Sequence, residues 1–302
     1  MQLKILGSAA GGGFPQWNCA CPNCQCVRAG NSSFKARTQA QLAWSTTPGE
    51  WTLLNASPDL RPQIEATPEM WPQEGPRHSP IRDVILTGAE VDQALGLLLL
   101  REFQSFRVHA TTSIRRILSE DNSLFGVLAR YPGQVCWSDL SLEQPSWIGG
   151  AQVEVVPMSA SFPGFVSAAR RGELNPAEAA IGVIVSDDCG GSFAFLPGIG
   201  SVPDVLLERL RACDLILFDG TFWSNEEPSR IPGITRTARQ MGHLPISGPG
   251  GSMERFASFH RPRKMFIHIN NTNPILDEAS EEHRMVRESG WEVASDGMEM
   301  TL

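Results

Sequence analysis

Four cysteines fall within eight residues, Cys19, Cys21, Cys24 and Cys26, just after a glycine-rich opening that runs from Gly7 to Gly13. Three thiolates at the spacing C-x-C-x-x-C can occupy three corners of a tetrahedron, the geometry of a structural zinc. Metal binding is therefore the first expectation for Cys19, Cys21 and Cys24. The four thiols are too close along the chain to pair with one another without strain, and Cys136, Cys189 and Cys213 are scattered, which argues against a disulfide framework. The apolar run Leu3–Leu6 stops at Gly7, unlike a secretory signal, so the expected compartment is the cytoplasm.

A second set of reactive side chains lies where apolar runs end. Glu90 and Asp92 follow Leu86-Thr87-Gly88 at the start of a helical pattern, where carboxylates also serve simply to cap a helix. Asp219 ends the run Leu215–Phe218, His268 ends Met265–Ile267, and His243 stands before Pro245 and a glycine-rich turn. Open α/β folds place their sites at such strand ends. A buried charge is costly unless paired or metal-bound, so Glu90, Asp92, Asp219, His243 and His268 form the candidate catalytic set. His78, His109, His260 and His283 are expected in polar loops or on the surface.

The elements that must hold these groups can be read from periodicity. β-Branched runs bounded by Gly, Pro, Asn or Asp predict strands at Leu3–Leu6, Thr38–Trp44, Trp51–Asn55, Asp83–Thr87, Phe106–Ala110, Gln152–Pro157, Ala180–Ser186, Ser192–Leu196, Asp214–Asp219 and Lys264–Ile269. Helical patterns cover Val91–Phe103, Thr112–Leu118, Val202–Ala212, Gly251–Phe259 and Ala279–Ser289, the last with Asp277 and Ser280 as N-cap candidates. This alternation predicts a layered α/β architecture in one domain spanning residues 1–302. The longest irregular stretch, Ser159–Glu178, reads as a lid, a binding loop or a surface insertion. A net charge of −8 argues against nucleic acid and anionic membranes as partners. The longest aliphatic run, Leu97–Leu100, is far too short to span a bilayer.

Taken together, these stretches resemble the pyrroloquinoline quinone (PQQ) biosynthesis protein B family of the metallo-β-lactamase superfamily. The resemblance rests on Leu6–Cys19, Leu54–Arg61, Pro197–Gly200, Phe218–Trp223, Met241–His243 and Ile267–Leu276, and so covers the whole chain. It implies an αββα four-layer sandwich with its site at one edge of the sheets. It also implies a role in maturing a Glu-Tyr-derived PQQ precursor, alongside other proteins of that pathway, by iron-dependent hydroxylation of the tyrosine ring. Zinc, lacking an accessible redox change, cannot activate dioxygen for such a step. A non-catalytic carrier of PQQ or its precursor is the alternative.

The chain departs from the pattern at several points. Where the superfamily carries His-x-His-x-Asp-His, this sequence has Gly88, Glu90, Asp92 and Gln93; a further histidine is missing near Ala160, and the bridging aspartate is replaced around Pro197 and Gly198. Two-metal hydrolysis needs both ions well held, so a β-lactamase-like hydrolase is not expected. Asp92 and His268 remain as candidate iron ligands. The resemblance places Asn271 at the fourth corner of the zinc site, with Cys26 as the local alternative.

Overall fold

The computed structural model describes residues 1–158, 162–231 and 233–302. It divides into two compact units, one made of Met1–Gly7, Gln41–Gly191 and Gly297–Leu302, the other of Ser8–Ala40 and Ser192–Asp296. The first unit holds β1 (Gln2–Gly7), β2 (Gln41–Thr47), β3 (Glu50–Leu54), β4 (Ile81–Ile85), β5 (Phe106–Ala110), β6 (Val135–Asp139), β7 (Ser146–Ile148), β8 (Ala151–Pro157) and β9 (Ile181–Asp187). The second holds β10 (Ser192–Leu196), β11 (Leu215–Asp219), β12 (Arg263–Ile267) and β13 (Trp291–Val293), and β14 (Glu299–Thr301) returns to the first. The α-helices are α1 (Pro22–Arg28), α2 (Leu60–Glu65), α3 (Val91–Ala94), α4 (Thr112–Glu120), α5 (Ala168–Arg171), α6 (Asp204–Arg211), α7 (Ser252–Arg255) and α8 (Glu281–Glu288).

The strands belong to two mixed sheets. One, entirely in the first unit, runs β14-β1-β2-β3-β4-β5-β6, antiparallel up to β3 and parallel from there. Of the other, the first unit contributes the antiparallel β7-β8-β9 and the second unit the parallel β10-β11-β12-β13. Burial explains the sequence patterns. β8 has one solvated face and alternates, whereas β11 is buried along its whole length and reads as a continuous apolar run. Asp219 is the exception within β11, and the parallel register sets it beside Ile267 at the end of β12. The helix starts follow capping chemistry: the Ser280 hydroxyl accepts the His283 N–H, and the Thr111 hydroxyl accepts that of Ile114.

The helix expected over Val91–Phe103 is α-helical only over Val91–Ala94 and continues as a 3₁₀ segment to Leu100. Its hydrogen bonds are diverted: the Ala56 N–H donates to the Gln93 carbonyl at 2.7 Å, and the Gly96 N–H donates to the Ala56 carbonyl at 2.8 Å. The helix expected over Gly251–Phe259 likewise shortens to Ser252–Arg255, because Phe256 turns inward onto Phe218 and Trp291. His109, expected on the surface, is buried on β5, where Asp83 accepts its Nε2–H at 2.7 Å and also pairs with Arg107. Of the stretch Ser159–Glu178, residues 159–161 lie outside the described residues, and so does the Ala160 position of the missing histidine; the rest carries α5 and a 3₁₀ turn.

Gly96 makes the diverted path sterically possible, since a Cβ there would stand 2.2 Å from the Ser57 carbonyl oxygen and 2.8 Å from Ala56. Backbone cannot yield as a side-chain tip does. Gly96→Ala is therefore expected to destabilise the protein by about 1–3 kcal/mol, read as a lowered urea midpoint with an unchanged denaturant slope.

Candidate functional site

Asp219 is fully buried at the end of β11 and accepts four hydrogen bonds. Oδ2 receives the Ile199 N–H at 3.0 Å and His243 Nδ1–H at 2.8 Å; Oδ1 receives the Thr221 N–H at 3.0 Å and its hydroxyl at 2.6 Å. A carboxylate offers about four acceptor positions, so this one is saturated. It holds its neighbours in place. Thr221 Oγ1 also lies 2.8 Å from His268 Nδ1. With the hydroxyl proton directed at Asp219, the His268 ring donates its Nδ1–H to that oxygen.

Both imidazoles thus carry the proton on Nδ1, which makes Nε2 the basic nitrogen, the form that ligates metals. The two rings stack at 5.8 Å between centroids with 17° between their planes. Candidate ligand atoms of Asp219, His243 and His268 lie within 4.8 Å of one another. His268 also has a left-handed backbone (φ 59°), a conformation uncommon for a non-glycine residue and concentrated at functional sites.

A second cluster meets the chain at Asn271, three residues after His268. Sulfur atoms of Cys19, Cys21 and Cys24 converge within 4.8 Å. The Asn271 amide stands over them, its Nδ2 at 3.1, 3.6 and 3.4 Å from the three sulfurs in turn. Cys24 lies on α1, and Cys26, two residues later, points roughly 200° around the helix axis from it. Among the described residues, Cys26 is not part of the cluster. Burial pushes the Cys24 thiol up to about 11. Burial opposes ionisation of Cys19 too, but hydrogen bonds from the Cys21 N–H, the neighbouring thiols and Asn271 outweigh it and draw that thiol down. Asn23 stitches the loop to the turn by donating to the carbonyls of Asn271 and Asn273 at 3.1 and 3.0 Å. Asn273 in turn donates to the Gly220 carbonyl at 2.9 Å.

Two site groups carried no sequence signal that singled them out. Thr221 stands in Asp219-Gly220-Thr221, and only the fold reveals that its hydroxyl bridges Asp219 and His268. Glu227 sits in a polar stretch without periodicity, yet it is 3% exposed. Its carboxyl accepts the Thr272 hydroxyl at 2.6 Å and the Trp223 N–H at 2.5 Å. Burial pushes it up to about 7 against those hydrogen bonds.

Glu90 and Asp92 belong to the first unit. Glu90 is the N-cap of α3 and forms a reciprocal capping box with Gln93, whose Oε1 accepts the Glu90 N–H at 3.4 Å. Desolvation, and then repulsion from Asp92, raise the Glu90 carboxyl above its usual range. The same Gln93 oxygen lies 2.1 Å from where a Cβ on Gly88 would be. Its amide fills the space that a side chain at position 88 would need.

Residues 50–269 match the Beta-lactamase superfamily domain model. With two mixed sheets flanked by helices, the chain has the α/β sandwich fold of the metallo-β-lactamase class. Along its whole length it is 42% identical, over 304 residues, to coenzyme PQQ synthesis protein B of Methylobacterium sp. (strain 4-46), covering all of both chains. It is 40% identical over 303 residues to the protein of that name from Xanthomonas oryzae pv. oryzae (strain MAFF 311018), again covering all of both chains. The crystal structure of Zn(2+)-bound PqqB from Methylobacterium extorquens matches with a TM-score of 0.92 at 40% identity, covering all of both chains. A diphosphatase of the PhnP family shares the fold, with a TM-score of 0.68 at 19% identity, covering all of this chain and 97% of the other. The chain belongs to the coenzyme PQQ synthesis protein B family.

Two consequences can be measured. Thr221→Val keeps the shape and removes the oxygen between Asp219 and His268, so the protein should lose about 1–3 kcal/mol of stability, and the His268 ring resonances should shift in nuclear magnetic resonance spectra. For Glu227, the ordinary carboxyl value is 4.5 and the folded value about 7. Between these the folded chain holds a proton that the unfolded chain has released. Its contribution is therefore present below about pH 4.5 and declines as pH rises to about 7, by about 3 kcal/mol in all. Glu227→Gln should flatten that part of the stability profile in urea titrations; an unchanged slope would show that Glu227 ionises normally.

Proposed function

We propose that this protein acts in PQQ biosynthesis in the cytoplasm, as a metal-dependent hydroxylase of the tyrosine ring of the Glu-Tyr-derived precursor. The supporting observation is the presence of two donor sets of different chemistry, three thiols in one and two imidazoles with a carboxylate in the other.

The thiol set fits a structural zinc. Cys19, Cys21 and Cys24 supply soft donors, and a half-turn of the Asn271 amide exchanges its nitrogen for an oxygen as the fourth. His268 and Asp92 are the proposed iron ligands, with His243 stacked on the His268 ring. Iron supplies the redox chemistry with dioxygen that zinc lacks. The rest falls to the chain. Asp219 and Thr221 hold both imidazoles in the ligating tautomer, and the raised carboxyl of Glu90 is suited to carrying a proton. The second reading, a carrier of PQQ or its precursor, is favoured by one observation: Gln93 and Glu90 are engaged in capping α3.

Cys21→Ser is expected to lower zinc content and melting temperature together, because a lost thiolate opens a coordination position on a loop that metal organises. Substituting Asn271 and Cys26 separately by alanine identifies the fourth ligand as the residue whose loss releases zinc. His268→Ala and Asp92→Ala are each expected to abolish hydroxylated product while leaving zinc content unchanged, measured by metal analysis and mass spectrometry of the precursor. Wild-type protein that binds precursor but takes up no iron and yields no product would establish the carrier.

A further inference from the structure

Strand β6 closes one edge of the sheet that lies wholly in the first unit, and at five residues it is the longest of the edge strands; β7, β13 and β14 have three each. The bonds at its two ends fix which way its backbone points. The Phe106 N–H donates to the Gln134 carbonyl at 3.0 Å and the Leu140 N–H to the Ala110 carbonyl at 2.8 Å, so the even-numbered residues face β5. Successive residues of a strand turn their N–H and C=O groups to opposite sides, which leaves Val135, Trp137 and Asp139 directed away from the sheet. Those backbone groups have no hydrogen-bond partner among the described residues. The strand also lacks the devices that blunt an edge: it contains neither lysine nor proline, pairs with β5 without a bulge, and carries its one charge at its last residue.

Outward groups spaced evenly about Trp137 make this edge complementary to itself. In an antiparallel pairing centred there, Trp137 faces Trp137 of a second copy, Val135 faces Asp139 and Cys136 faces Ser138, so every outward N–H meets an outward carbonyl. Charge selects the same arrangement. Arg130 precedes the strand, whereas Asp139 closes it and Glu143 follows. A two-fold axis turns each basic start toward the other copy's acidic end, while a parallel pairing would set Asp139 directly against Asp139, an unfavourable contact. The exposed rings of Phe103 and Tyr131, 4.7 Å apart just before the start of β6, add apolar area at both ends of the joint. We propose that β6 is the interface of a two-fold dimer of this chain, in which the two sheets continue edge to edge through antiparallel β6 strands. Such a dimer is closed, because the same edge is used by both copies. The inference is independent of the iron chemistry.

The test uses the full chain, with the exposed Cys189 replaced by serine for cross-linking. Cys136 and the other copy's Ser138 form a non-hydrogen-bonded pair in this register, with Cα atoms about 4.5 Å apart, inside the range of about 4.4–6.8 Å that a disulfide spans. Ser138→Cys should therefore give mostly covalent dimer on mild oxidation, read on a non-reducing gel, and adding Cys136→Ser should return it to monomer. Without Ser138→Cys, the two Cys136 residues stand on a diagonal of about 7–8 Å and should stay unlinked. Sedimentation at about 100 μM should give the wild type twice the chain mass. Val135→Pro removes an outward N–H and no bond to β5, so it should raise the dimer dissociation constant at least about tenfold; if that variant fails to fold, the cross-linking pair decides alone. A monomeric wild type, a dimer that Ser138→Cys does not cross-link, cross-linking that survives Cys136→Ser, or a dimer indifferent to a folded Val135→Pro would overturn the proposal.

Discussion

A carboxylate without water must be surrounded by donors, and at Asp219 this requirement organises the second unit. The four groups that satisfy it come from three places in the chain: the Ile199 backbone, the backbone and hydroxyl of Thr221, and the His243 ring. Removing the carboxylate would leave several buried donors unmet, each at a cost of about 1–3 kcal/mol. Asp219 therefore fixes the loop after β10, the turn after β11 and the segment carrying His243 as one arrangement. His268 joins it through a single shared oxygen.

The Asn270–Asn273 turn extends that arrangement to the cysteine loop. Its backbone bonds to Thr221 on one side, and its carbonyls receive Asn23 on the other. Three asparagines suit this place because each side chain offers both a donor and an acceptor to backbone that no strand or helix satisfies. His268 and Asn271 are three positions apart, so the imidazole cluster and the thiol cluster share one short piece of backbone. A shift in either is felt by the other.

Much of this was legible in the sequence. The C-x-C-x-x-C spacing drew attention to the three thiols that converge, and continuous apolar runs marked the parallel strands whose ends carry Asp219 and His268. What was not legible depended on partners distant in the chain. The diverted hydrogen bonds between Ala56 and Gln93–Gly96 shorten a helix that periodicity alone would continue. His109 looked like a surface residue because its partner Asp83 is on another strand. Short strands such as β7, β13 and β14, of three residues each, offer too little pattern to read. Thr221 and Glu227 are ordinary residues in polar stretches until burial gives them roles.

The two clusters also differ in when they can exist. Cys19, Cys21 and Cys24 are neighbours along the chain, so the closure that brings them together costs little conformational entropy even before the protein has folded. The imidazole cluster draws on positions from 219 to 268, and its members meet only after β11 and β12 have paired in parallel, a non-local step that is slow to form. A nascent or denatured chain can thus bring its three thiols together within its first two dozen residues while the other donors are still apart. Order of assembly, as much as chemistry, thus separates the two donor sets.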